Sequence, residues 1–224
     1  MNPDFRTAMR FAPYAEEREK WPVSGRHIMA QWDREAVIVY QAYRPAIARY
    51  AVQHQVFGGE FSYNRMSWIK PNFLWMMYRS GWAAKEGQEH VLAIRLARAF
   101  FEKLLLQSVA SSFDASRFSD HDEWKAAVAG SDVRLQWDPD HGPSGNPLER
   151  RAVQLGLRGA ALQRFGKEAL AIYDITPFVA AEREHLREAS GKLTVPVERV
   201  YVPDDPLAAT AVGLDADPFY SSAS

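Results

Sequence analysis

The sequence predicts a single α+β domain, and three observations carry that reading. Compact apolar runs of strand length, at residues 36–40, 90–96, 133–137 and 151–157, alternate with segments of helical spacing. A composition of 47% hydrophobic and 25% charged residues over 224 positions suits one globular unit with a sizeable core. No internal repeat divides the chain.

In chain order, residues 1–27 mix charges with Pro3, Pro13 and Pro22 without a sustained period, which predicts an N-terminal arm. The folded unit is expected over 28–202. Within it, the β-branched run Ala36-Val-Ile-Val-Tyr40 predicts a buried strand. Pro45 then opens a helix over 45–53, because proline suits the first helical turn. A second helix is predicted over 71–79, with Pro71 at its start and Gly81 just past its end. Residues 90–96 read as a strand and 97–108 as a helix with Phe100, Phe101, Leu104 and Leu105 on one face. Ser119 to Val128 looks like a capped helix, and Val133-Arg-Leu-Gln-Trp137 alternates as a half-buried strand does. Asp138-Pro139 reads as the end of that strand and the start of a turn. A strand over 151–157, a helix over 159–165 and a last helix over 178–189 complete the unit. From Pro203 onward the acidic, proline-rich, unperiodic composition predicts a disordered tail over 203–224.

Composition excludes several function classes. With no cysteine, the chain has no disulfide, thiolate nucleophile, zinc knuckle or iron–sulfur cluster. No apolar run approaches membrane-spanning length and no apolar leader follows Met1, so a cytoplasmic protein without a membrane partner is expected. Twenty-seven basic against twenty-eight acidic residues remove the simplest electrostatic case for a nucleic-acid binder, though not a local patch. No phosphate-binding loop, dinucleotide fingerprint, HExxH or GxSxG is present, and six scattered histidines do not suggest a metal.

Two stretches carry cations without acids. Phe61 to Trp82 holds Arg65, Lys70 and Arg79 among three tryptophans. Most of its helix is ordinary core, with Phe73 and Met77 buried, but uncompensated cations beside aromatic rings suit an anion or a stacked base. Arg79 is expected to reach a cleft with Trp75 covering its stem. The second stretch runs from Arg150 to Lys167. Gly156 at its strand centre marks a place where a ligand or another segment approaches closely. Arg65, Lys70, Arg79, Arg134 and Arg151 are expected to converge on one cleft.

The strings YQAYRPAIA (40–48), RMSWIKPNFLWMMYRSGW (65–82), VRLQWDP (133–139) and RAVQLGLRG (151–159) resemble, in order and spacing, the family known as domain of unknown function 4291. That family implies an acid and a cation after the WDP turn, where Asp140 and His141 stand. The layout is also similar to small NAD-dependent ADP-ribosyltransferases, including the DNA-modifying toxin and tRNA 2′-phosphotransferase branches. That similarity implies a split, mixed and mostly antiparallel sheet flanked by helices, with NAD or a related phosphorylated nucleotide between its halves and no metal. Catalytic roles would fall to Tyr40, Gln41, Arg151 and Gln154, and cofactor binding to Arg65, Ser67, Trp68, Lys70, Tyr78 and Arg79. Tyr40, Tyr78 or Trp68 would stack a ring of the nucleotide. Arg134, Gln136, Asp138 and Arg158 would contact an acceptor, DNA or RNA among the possibilities. Gln41 stands where that fold usually has His or Arg, and Arg151 or Gln154 where it usually has Glu. The phosphotransferase branch also lacks that glutamate. The competing expectation is a non-catalytic module that binds single-stranded nucleic acid on Trp68, Trp75 or Trp82.

Overall fold

Two small sheets meet edge to edge in the computed structural model, which describes residues 4–189 and 191–215. The chain begins with α1 (Phe5–Ala8), β1 (Phe11–Pro13), α2 (Tyr14–Glu17) and a 3-10 turn (Arg18–Lys20). Then follow β2 (Gly25–Arg26), β3 (Met29–Ala30), β4 (Ala36–Tyr43), α3 (Pro45–His54), β5 (Ser67–Ile69) and α4 (Phe73–Ser80). The middle comprises β6 (His90–Ala97), α5 (Arg98–Leu106), β7 (Ser108–Ala110), α6 (His121–Gly130), β8 (Val133–His141) and β9 (Pro147–Leu157). The last part holds α7 (Gly159–Lys167), β10 (Ala171–Asp174), α8 (Thr176–Arg187), β11 (Thr194–Pro196), β12 (Arg199–Val200) and α9 (Pro206–Val212).

The first sheet runs β10-β6-β4 and is antiparallel throughout. The second runs β2-β9-β8-β7 and is mixed, with β5 antiparallel along β9. A single bridge joins them: Tyr40 N donates to Lys70 O at 2.7 Å, and Lys70 N returns the bond to Tyr40 O at 3.2 Å. The class is α+β with mixed sheets, and the seam at this bridge opens the cleft described below.

The first sheet is apolar on both faces, which is why β4 and β6 read as continuous apolar runs. Val37, Val39, Leu92, Ile94 and Leu96 face a core shared with Ile69, Val133, Leu135, Val153 and Leu155 of the second sheet. Ile38, Tyr40, Val91 and Ala93 face the opposite core, closed by α4, α8 and the N-terminal segment.

Several expectations change in the structure. The arm is not detached: Phe5, Met9 and Trp21 are buried in the second core, and β1 pairs with β11. Burial of three large apolar side chains supplies what periodicity did not show. Of the tail, residues 206–212 form α9. Asp205 caps it by accepting from Leu207 N, Pro206 opens it, and Ala208 and Val212 bury one stripe in the core shared with α5. Trp137 Nε1 donates to Val212 O at 2.9 Å, tying α9 to β8. Residues 216–224 lie outside the described residues. The Asp138-Pro139 turn does not form: β8 continues to His141 with an irregular register between Pro139 and His141, and the chain reverses over 142–146. Among the described residues, no helix is long and apolar enough to cross a membrane, and no group of three or more acids and histidines is placed to hold a metal.

Candidate anion-binding cleft at the sheet seam

A cleft of about 540 Å³ opens where the two sheets meet. Gln41 and Tyr43 come from β4, Arg65, Met66, Ser67, Trp68 and Lys70 from the segment through β5, and Met76 and Arg79 from α4. Gln88 precedes β6, while Gln136 and Gln154 project from β8 and β9. Three cations line this space and no carboxylate does.

Local structure fixes each wall. Asn72 caps α4 by accepting from Trp75 N at 2.6 Å, and the buried Glu198 accepts from Phe73 N at 2.6 Å. Gly81 ends the helix in the left-handed region at φ 59°. These caps hold the last turn so that Arg79 reaches the cleft. Across the floor, a Cβ on Gly156 would stand 2.7 Å from Met66 Sδ and 3.0 Å from the Trp68 ring. Any side chain there would have to push Met66 and the Trp68 ring aside, because β5 lies directly on β9.

Gln41, Tyr43 and Ser67 form a closed ring of hydrogen bonds. Gln41 Nε2 donates to Ser67 Oγ at 2.8 Å, and Tyr43 Oη donates to Gln41 Oε1 at 2.6 Å. That leaves the Ser67 hydroxyl to donate to Tyr43 Oη at 2.9 Å. Gln41 Nε2 also reaches Trp68 O at 3.2 Å, so its amide is fully used in joining β4 to β5. Gln41, of which catalysis was expected, thus braces the seam while standing at the cleft wall.

Gln136 and Gln154 face each other across β8 and β9. Asp138 lies two residues along the same face and takes both amides: Gln136 Nε2 donates to Oδ1 at 2.8 Å and Gln154 Nε2 to Oδ2 at 2.7 Å. With the NH2 ends turned to Asp138, both Oε1 atoms are left as acceptors at the cleft wall. Asp138 itself is a second-row support and does not line the cleft.

Lys70 is the unusual group. Only 4% of it is exposed, yet no acid pairs with it among the described residues. Burial, together with the nearby Arg79 charge, brings its pKa down to about 8, against a smaller opposing pull from Asp138. In the unfolded chain this amine titrates near 10.5, so unfolding takes up a proton between about 8 and 10.5. The burial penalty is thus fully present below pH 8 and is relieved as the pH rises toward 10.5. An anion in the cleft reverses that preference by stabilising the ammonium form. Affinity for a fixed-charge anion such as ADP-ribose should fall as the pH rises through 8, by up to about thirtyfold at pH 9.5 if only the ammonium form binds. Titrations at pH 7 and 9.5 check this. Lys70→Arg should flatten the profile, and a flat wild-type profile would remove Lys70 from the contact.

The cleft thus gathers Gln41, Arg65, Ser67, Trp68, Lys70, Arg79, Gln136 and Gln154 from the expected set. The other residues sit elsewhere. Tyr40 is fully buried behind the bridge against Phe73, so it has no free face for a ligand ring. Tyr78 stacks on His141 at 3.6 Å between centroids and on Trp75 at 5.2 Å, outside the cleft. Trp75 is buried under that stack and does not line the wall with Arg79. Arg151 donates to Trp137 O at 2.8 Å. Arg134 and Arg158 close the C-terminal end of α6: Arg134 donates to Ser131 O at 3.1 Å and to Val128 O, and Arg158 to Ser131 O at 3.0 Å and to Ala129 O. Terminal carbonyls with their partial negative charge explain both cations without a ligand. Convergence therefore holds for Arg65, Lys70 and Arg79 and fails for Arg134 and Arg151. Tyr43, Met66, Met76 and Gln88 are lining residues that sequence reasoning did not single out. Tyr43 alone carried a signal, two residues from Gln41 on the same strand face.

A search of curated proteins found no match. The family model described as Domain of unknown function (DUF4291) matches residues 27–201, which take in every wall of the cleft and every strand of both sheets except β2. The chain belongs to that family.

Proposed function

We propose that the seam cleft binds a phosphorylated nucleotide, with NAD as the leading ligand, and that the protein is an ADP-ribosyltransferase-like enzyme. One observation carries the reading: Arg65, Lys70 and Arg79 meet around one cavity that no carboxylate lines, and Lys70 is buried there without a counter-ion. A buried ammonium is costly unless an anion answers it. A diphosphate supplies two negative charges and matches the forked guanidinium groups. The volume lies within the range of roughly 300–1,000 Å³ usual for small-ligand sites.

The choice of NAD among nucleotides rests on the layout. Gln41 and Tyr43 on the early strand, the Arg65–Lys70 segment before α4, and Gln154 on the later strand border the same cleft at the junction of two half-sheets. These are the three segments named by the resemblance to ADP-ribosyltransferases. In such a reaction the bond between nicotinamide and ribose C1′ breaks and nicotinamide leaves with the electron pair. An acceptor oxygen or nitrogen then bonds to C1′ and loses its proton. Arg65, Lys70 and Arg79 would hold the diphosphate, and the Gln136 and Gln154 oxygens would accept from ribose hydroxyls or the carboxamide. Trp68 would border a ring. Orientation of the scissile bond is what these residues offer, since neither glutamine is an acid or a base. The acceptor is a nucleophile of unassigned identity.

A thermal-shift titration with NAD and ADP-ribose tests the reading. At a thousandfold excess over a micromolar dissociation constant, binding adds about 4 kcal/mol, or roughly 8–16 °C in Tm for a chain of this size. Release of nicotinamide from NAD then separates a transferase from a binding module. No shift at millimolar NAD or ADP-ribose contradicts the proposal.

A further inference from the structure

A second basic cavity, of about 550 Å³, borders the first sheet away from the seam cleft and shares no lining residue with it. It is bordered by Arg6, Arg10, Arg34, Arg95 and Arg199, brought together from α1, the turn after it, the loop before β4, β6 and β12. Asp33 is the one acid at the wall, and it is already engaged. Its Oδ1 accepts from Glu35 N and Ala36 N at 2.8 Å each, and its Oδ2 takes Arg95 at 3.0 Å. Arg95 is further answered by Glu35 at 3.4 Å.

The other four cations have no acid partner among the described residues. Arg6 rests on the Phe5 ring at 4.7 Å. Arg199 donates to Trp32 O at 3.2 Å and lies over the Trp32 ring at 4.0 Å. Arg10 and Arg34 are exposed, and among the described residues neither side chain meets a partner. The placement of Arg10 is nonetheless fixed, because the buried Gln31 side chain accepts from Arg10 N at 3.0 Å and donates to Arg10 O at 2.7 Å. A chain of formal charge −1 has therefore collected four unanswered guanidinium groups around one cavity, where they repel one another.

We infer that this cavity binds the phosphodiester backbone of a nucleic acid. Guanidinium forks match phosphate oxygens in pairs, and the cluster contains arginine without lysine. Bases are not read there: Trp32, the one aromatic residue at the wall, is covered by Arg199 at 4.0 Å and Arg98 at 4.9 Å. Contact is thus of the positioning kind, independent of sequence. None of the large exposed apolar residues, such as Val23, Leu106 or Leu207, borders the cavity, which disfavours a lipid surface. No residue that borders this cavity also borders the seam cleft, so the two sites fill independently.

The test is fluorescence anisotropy of a labelled single-stranded DNA of twenty or so nucleotides, over a series of salt concentrations. Full-length wild type is compared with Arg10→Ala/Arg34→Ala, whose exposed side chains carry no structural bond, and with Arg34→Glu alone. The double variant should bind at least tenfold more weakly at low salt. Its log–log salt slope should be shallower by about 1.4, from roughly 0.7 per lost phosphate contact on a single strand. Arg65→Ala/Arg79→Ala in the seam cleft should leave both quantities unchanged. Unaltered affinity in the arginine variants overturns the inference. So does equal competition by polyglutamate, which identifies an acidic-peptide site, or by free phosphate at the same charge concentration, which identifies a small-anion site.

Discussion

Replacing Phe73 with alanine is expected to destabilise the fold by about 3–5 kcal/mol, the range for a fully buried aromatic side chain. Phe73 is 1% exposed and packs edge-on against Tyr40 at 5.6 Å and Trp82 at 5.9 Å, with Phe178 at 5.9 Å. Its loss opens a cavity between α4 and the first sheet that these rings cannot refill. Arg79, six residues along the same helix, should behave in the opposite way. It is exposed, so Arg79→Ala should cost less than about 1 kcal/mol while removing binding of ADP-ribose. Urea denaturation of both variants, paired with ligand titration, separates the roles. Equal destabilisation by the two substitutions would make Arg79 a structural cation and take it out of the cleft's chemistry.

The second large effect is expected at a buried ion pair outside the cleft. Arg150 Nε donates to Asp140 Oδ2 at 2.8 Å and Nη1 to Pro22 O at 2.7 Å, while the guanidinium lies over the Trp21 ring at 5.2 Å. Both partners are nearly inaccessible, at 3% and 0% exposure. Arg150→Ala leaves the Asp140 carboxylate buried and unpaired, at an expected loss of about 3–5 kcal/mol. Adding Asp140→Asn to that variant should recover part of the loss, because the orphaned charge is gone. Denaturation midpoints at constant m-value measure both. A loss under 1 kcal/mol for Arg150→Ala, or a double variant weaker than the single one, would contradict this account of the N-terminal segment's anchorage.

What the sequence revealed depended on how locally each element is determined. β4 was legible up to Tyr40 because its side chains are apolar on both faces. Its last residues were not, since Gln41 is a buried amide whose partners come from β5. Helix α4 carried its own punctuation in Pro71, Asn72 and Gly81. β5 is three residues long and exists through pairing with β9, so no periodicity announced it. Helix α9 did carry Asp205 and Pro206 at its start, but an acidic, proline-rich setting masked a stripe that only α5 completes.

The same distinction divides the candidate site. Arg65, Lys70 and Arg79 stood out because no acid lies near them in sequence, and the structure supplies none in the cleft wall. Arg134 and Arg158 instead meet carbonyls at the end of α6, a partner with no formal charge to read, and Arg158 also has Asp132 at 4.0 Å. Gln136 and Gln154 were visible as residues on polar strand faces. Their joint orientation by Asp138 required the register of the β8–β9 hairpin.

A crystal structure of the protein soaked with ADP-ribose tests the central claim most directly. The account predicts diphosphate oxygens within hydrogen-bonding distance of Lys70 Nζ and of at least one guanidinium from Arg65 or Arg79, with a ribose hydroxyl on the Gln136 or Gln154 oxygen. A cleft left empty at millimolar ADP-ribose, or a nucleotide bound away from Lys70, would contradict it.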